Sequence, residues 1–168
     1  HINLVVADTD TWEQIAAKTL EKLSAVESYV KNAFLGFAIP YIDGGKERNY
    51  LPDYLVQLRT PKLRQATLIL EITGFNKDKA IKRWAVNERW LPAVNNARGK
   101  LGLSTWHFAE IDDIDDIKPA LTRTIQNIVD EIDAAPDTLG EALRLLASLP
   151  EDFYLEGRED PPIFEQRE

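Results

Sequence analysis

Between residues 49 and 74 the chain reads NYLPDYLVQLRTPKLRQATLILEITG, where two carboxylates, Asp53 and Glu71, interrupt apolar runs that otherwise have the texture of strands. Strand side chains alternate between faces, so Asp53 shares a face with Leu51 and Leu55, and Glu71 with Ile69 and Thr73. Either acid alone reads equally well as a charge pointing to water. If the two strands pair at the usual spacing of ~4.8 Å, however, acids at their ends can share one cation, whose charge offsets their repulsion and desolvation. Oxygen-only ligands favour magnesium or manganese over zinc. The chain has no cysteine, which removes thiolate zinc sites, disulfides and cysteine nucleophiles.

The rest of the chain supplies elements around these strands. From Thr11 to about Asn32 apolar residues recur at three- and four-residue steps, which predicts an amphipathic helix capped near Asp10 or Thr11. GFAIPYIDGGKERNYLPDYLVQL reads as two strands joined at Asp43-Gly44-Gly45, with Pro52 marking a strand start or an edge. ATLILEIT is a third strand, KDKAIKRWAVNERW a helix ending before Pro92, STWHFAEI a fourth strand, and Ile117 to Ile132 a helix after the acidic DDIDD loop. This order predicts an α/β fold with a mixed central sheet flanked by helices, occupying residues 1–134. Beyond it, AAPD reads as a linker and TLGEALRLLASL as a short helix. The remainder reads as an extended tail, making residues 135–168 a separate acidic segment.

Composition bounds the function class only loosely. A chain of 168 residues, 44% hydrophobic, suffices for one domain with an appendage. Of the net charge of −8, residues 135–168 carry −6 (3 basic, 9 acidic), whereas residues 1–111 are mildly basic (15 basic, 12 acidic). No apolar run approaches the ~20 residues of a bilayer-spanning helix and no leader opens the chain, so a soluble, cytoplasmic protein without a membrane partner is expected. The lack of methionine points to an excised or processed piece.

The PD dipeptide in one strand, an acid at the end of the next and a following helix resemble the PD-(D/E)XK nuclease superfamily. The wider text TWEQ…KNAFLGFAIPY…RNYLPDYLV…LILEITG…WLPAVNN…WHFAEI is similar to the C-terminal nuclease domain of the restriction subunit of type III restriction enzymes, over roughly residues 3–133. That resemblance implies a restriction-endonuclease-like fold and hydrolysis of DNA phosphodiesters within a restriction system, alongside a helicase motor and a modification subunit. It implies Mg2+, or Mn2+, held by Asp53 and Glu71 with a further acid from the first helix. Glu13 is favoured for that acid by the resemblance, whereas the helical wheel slightly favours Glu27. The superfamily's catalytic lysine position is Thr73 here, so the missing cation is assigned to Lys82, with Lys79 one turn away on the same face. Lys79, Arg83, Arg98 and Lys100, the last two in NNARGK, which reads as a loop, are the expected contacts to DNA phosphates. Trp84, Trp90 and Trp106 are expected in the core, and His107 as a packed or surface strand residue.

A second resemblance concerns the end of the chain. DF…GREDPP…QRE is similar to the C-terminal arm of VapB-type antitoxins, which implies a PIN-type ribonuclease toxin as partner, bound through Phe153 and Arg158. On the alternative reading the nuclease-like body is inert and the tail binds a protein partner.

Overall fold

The computed structural model describes residues 12–33, 35–73, 79–112, 116–136 and 138–148. The expected cap at Asp10 or Thr11, and Phe153 and Arg158, lie outside them. The chain divides into two compact units, residues 1–134 and 135–168. In the first unit a four-stranded mixed sheet runs in the order β1 (Val26–Lys31), β4 (Tyr54–Arg59), β5 (Gln65–Ile72), β6 (Thr105–Ile111). β1 and β5 flank β4 antiparallel, and β6 lies parallel to β5. A separate two-stranded hairpin, β2 (Ile39–Asp43) and β3 (Lys46–Tyr50), is inserted between β1 and β4. Its turn places Gly44 and Gly45 at φ 55° and 78°, a left-handed pair that glycine adopts without a Cβ clash.

The parallel β5–β6 pair requires a crossover, and a helical segment supplies it: α2 (Lys79–Trp84), a π-helical stretch (Ala85–Trp90) and α3 (Leu91–Leu101). Pro92 does not end the helix as expected. It sits in the first turn of α3, where no backbone donor is required of it, immediately after the π-helical stretch. The helix stops instead at Gly102, left-handed at φ 65°, whose N–H caps the Arg98 carbonyl. NNARGK is therefore helix, not loop.

The sheet is covered on both faces. Tyr54, Val56, Leu58, Leu68 and Leu70 pack with α1 (Trp12–Leu20) and α4 (Ile117–Ala134) in one core cluster. Ile69 on the other face packs with Ile39, Tyr41 and Tyr50 of the hairpin and with Ala85 and Val86 of the π-helical stretch. Trp90 and Trp106 join that second cluster, their rings 5.2 Å apart. Trp84 does not: it is 52% exposed, with the Arg89 guanidinium over its ring.

Two further expectations are corrected. The first helix ends at Leu20, and Val26–Lys31 is a strand. Val26 and Val30 are four apart, a spacing that satisfies a strand's period of two as well as a helical turn. β-branched and aromatic residues then favour the strand, which pairs with β4. The expected single strand through KERNYLPDYLVQL breaks at Leu51-Pro52-Asp53, where the chain leaves the hairpin for the main sheet.

The second unit contains α5 (Leu139–Ala147), with Thr138 Oγ1 accepting from the Glu141 N–H at 3.2 Å as an N-terminal cap. Among the described residues no helix is long and apolar enough to cross a membrane.

Because Leu68 is fully buried in β5, between β4 and β6, Leu68→Ala should lower the unfolding free energy by about 2–5 kcal/mol. Urea denaturation followed by tryptophan fluorescence measures this, and a loss below about 1 kcal/mol would contradict the packing described.

Candidate metal and phosphate site

Antiparallel pairing matches Tyr54 with Leu70 and Leu55 with Ile69, so one step further Asp53 stands opposite Glu71. Parallel pairing matches Glu71 with Glu110 of β6. Asp53, Glu71 and Glu110 thus form a row of acids across three strands at one end of the sheet. Register brings together residues that are 18 and 39 positions apart in the chain.

Each acid of the row is held differently. Asp53 Oδ2 accepts from the Ile72 N–H at 2.7 Å, and the Asp53 carbonyl accepts from the Asn32 N–H at 2.8 Å, which fixes the bend before β4. Glu71 Oε2 accepts from the Tyr50 hydroxyl at 2.8 Å. Glu110, its side chain 9% exposed, is paired with Lys79 at 2.9 Å and with Arg83 at 2.6 Å, and Lys79 also reaches Asp112 at 3.1 Å. The two cations expected to meet DNA phosphate from α2 are therefore drawn onto the acidic row.

Burial pushes the Glu71 carboxyl up to about 7 and the Asp53 charge pushes the same way, against the Tyr50 hydroxyl, the Lys82 ammonium and the Asp53 N–H. Burial also raises the Asp53 carboxyl, opposed first by the Ile72 N–H. Glu13 raises it further, and Lys31 and Lys82 lower it. Lys82 thus acts on both acids, with its ammonium 5.8 Å from the Tyr50 ring centroid. Tyr50 itself is pushed well above the ordinary phenol range by burial and by Glu71, so it remains a donor.

The other expected residues are distributed as follows. Glu13, in the first turn of α1, lies near enough to Asp53 to act on it, but its carboxylate is paired with Lys31 at 2.6 Å. Glu27 lies on β1 rather than on a helix and pairs with Arg59 and Gln65, which removes it as the alternative ligand. Thr73 lines a small pocket with Glu71, Lys79, Lys82 and Arg83, and its N–H donates to the Ile111 carbonyl at 3.0 Å. Arg98 sits near His107, whose pKa burial lowers, and Lys100 is exposed at the end of α3; neither lines that pocket.

Sequence reasoning missed Tyr50, Lys31 and Glu110. Glu110 was readable in TWHFAEI, because a period of two puts it on the face of Trp106 and Phe108. Lys31 was hidden by the helical reading of VESYVK. Tyr50 has no local signal, since its role depends on how the hairpin folds over β5.

Asp53 and Glu71 offer hard oxygen donors in a desolvated setting, a set that suits a cation such as magnesium, which commonly takes one or two carboxylates and keeps several waters. Among the described residues no group of three or more His, Cys, Asp or Glu side chains is arranged to hold a metal ion. Compared with known proteins, no family model matches the chain, and neither a curated protein nor a solved structure does.

Glu71 ionises from 4.5 in a free chain but at about 7 in the fold, so the unfolded state releases this proton first as pH rises. Stability is penalised progressively through that window and fully above it. In metal-free buffer, Glu71→Gln, which keeps an acceptor for Tyr50, should be more stable than the wild type by on the order of 3 kcal/mol at about pH 8. The gain should shrink through the window and vanish below it in urea melts across pH. An equal gain at acid pH would attribute it to packing instead.

Proposed function

We propose that residues 1–134 form a metal-dependent DNA endonuclease domain of the restriction-endonuclease-like class, belonging to a restriction system. The observation that carries this reading is the register that sets Asp53 opposite Glu71 at the sheet end, with Lys82 acting on both. A mixed sheet with a helical crossover after the second acid agrees with what the sequence resemblance implies.

On this reading Asp53 and Glu71 hold a magnesium or manganese ion, which when bound supplies Lewis acidity toward a phosphate oxygen and makes water a better nucleophile. The residues of the chain do the rest. The Ile72 N–H and the Tyr50 hydroxyl fix the inner oxygens of the two acids, leaving their remaining lone pairs for the ion. Lys82, over the Tyr50 ring, provides the positive charge that Thr73 lacks and stabilises the charge that develops on the phosphate. Lys79 and Arg83, oriented by Glu110, present further cationic edges to the backbone of the substrate. The helicase motor and modification subunit of a full restriction system would supply translocation and target recognition.

A second reading is favoured by one observation on the other unit: α5 carries Leu143 and Leu146 at 56% and 49% exposure. Such a face is suited to a protein partner, and on this reading the partner is a PIN-type toxin captured by the tail while the body is inert.

The first reading is tested by magnesium-dependent cleavage of plasmid DNA. Asp53→Asn should abolish it, Lys82→Ala should reduce it by about 10²–10³-fold, and Thr73→Ala should change it little. Equal rates in the wild type and Asp53→Asn would reject the assignment. Deletion of residues 136–168 should leave the melting temperature and magnesium binding nearly unchanged, since the two units each form a compact body. A large fall in melting temperature would show that α5 completes the first core, and the toxin-binding reading would then be dropped.

A further inference from the structure

On the far side of Asp53 from Glu71 a second charged group is already complete. Glu13 leaves the first turn of α1, Lys31 ends β1, and their side chains meet at 2.6 Å while only 17% and 12% exposed. The main chain holds both in place. The Tyr54 hydroxyl donates to the Glu13 carbonyl at 3.1 Å, Lys31 is in register with Tyr54, and the Asn32 N–H is bonded to the Asp53 carbonyl. Asp53 is thus flanked by two ammonium groups, Lys31 from β1 and Lys82 from α2, and both act on its carboxylate.

An exposed ion pair contributes little and needs no explanation, but this one is largely covered and stands beside a second acid, Asp53. Two carboxylates brought this close in a dry setting require a compensating cation. Among the described residues no lysine or arginine is ion-paired directly with Asp53 or Glu71, on which Lys82 acts without such a pair, whereas Glu13 is paired directly with Lys31. An ammonium on its own side chain cannot be exchanged or chelated, and while it is bonded to Glu13 Oε2 its charge opposes a metal ion at that carboxylate.

We propose that Lys31 is a built-in cation, occupying beside Glu13 and Asp53 the place a second divalent ion would take and so restricting the site to one exchangeable metal, in the Asp53–Glu71 gap. This deepens the proposed function and rests on Asp53 and Glu71 as metal ligands. It also removes Glu13 from the ligand set and makes it the counter-ion of Lys31. Replacing Lys31 by an uncharged side chain of similar length should release Glu13 and open the second position.

The test is manganese binding to the full chain without DNA, counted by calorimetry and by electron paramagnetic resonance, in which a neighbouring pair of ions gives an exchange-coupled spectrum. The wild type should bind one ion, Lys31→Met two with coupling, and Lys31→Met/Glu13→Gln one again. Glu13→Gln alone should keep the single wild-type ion. Two ions in the wild type, loss of its ion in Glu13→Gln, or no added ion in a folded Lys31→Met would each overturn the proposal. If Lys31→Met does not fold, the Glu13→Gln measurement decides by itself: retention supports the proposal and loss overturns it. Should the wild type bind no ion while Lys31→Met binds one, the Asp53–Glu71 metal reading fails and the built-in cation stands. Binding to neither would reject both.

Discussion

The register between β4 and β5 is the constraint on which the site depends. Leu55, partly buried, stands opposite the buried Ile69 on one face and Tyr54 opposite Leu70, both buried, on the other, and a slip of one residue would exchange every face. The same pairing that fills both cores therefore places Asp53 opposite Glu71. Hydrophobic burial fixes the register, and the register sets two like charges against each other where water is scarce. Burial raises both carboxyls, and the charge of Asp53 raises the Glu71 carboxyl further. The surrounding donors and cations offset these effects only in part.

Charge around the row is distributed by element. β1 brings Lys31, the hairpin brings the Tyr50 hydroxyl, and α2 brings Lys79, Lys82 and Arg83. Glu110 takes two of these, so Lys82 is the α2 cation left to bear on Asp53 and Glu71. The π-helical stretch immediately after α2 contributes to the same arrangement. Its buried Ala85 and Val86 pack against the hairpin face of the sheet, anchoring the helical segment that carries Lys82. A wider turn of this kind also lets the chain resume an α-helix with Pro92 in its first turn.

How far the site could be read depended on whether the relevant period was local. Asp53 and Glu71 stood out because each breaks an apolar strand pattern, and α4 was legible because Leu121, Ile125, Ile128 and Val129 repeat at one helical period throughout. The Asp43-Gly44-Gly45 turn was legible because its geometry calls for glycine. The segment Val26–Lys31 was misread because its spacings fit two periods, and pairing with β4, far along the chain, selects the strand. Trp84 was misplaced for a related reason: its helical spacing is regular, but the hairpin covers Ala85 and Val86 instead of the indole.

Sequence by itself determined the types and approximate limits of most elements and the candidate acid pair, because backbone preferences and side-chain periodicity act between near neighbours. Only the tertiary structure decided which cation faces which acid. Lys31 reaches Glu13 rather than solvent, Lys79 and Arg83 reach Glu110, and Tyr50 bridges Glu71 and Lys82. Those pairings join elements far apart in the chain, and charge interactions depend on distance and burial in space, which no local pattern encodes.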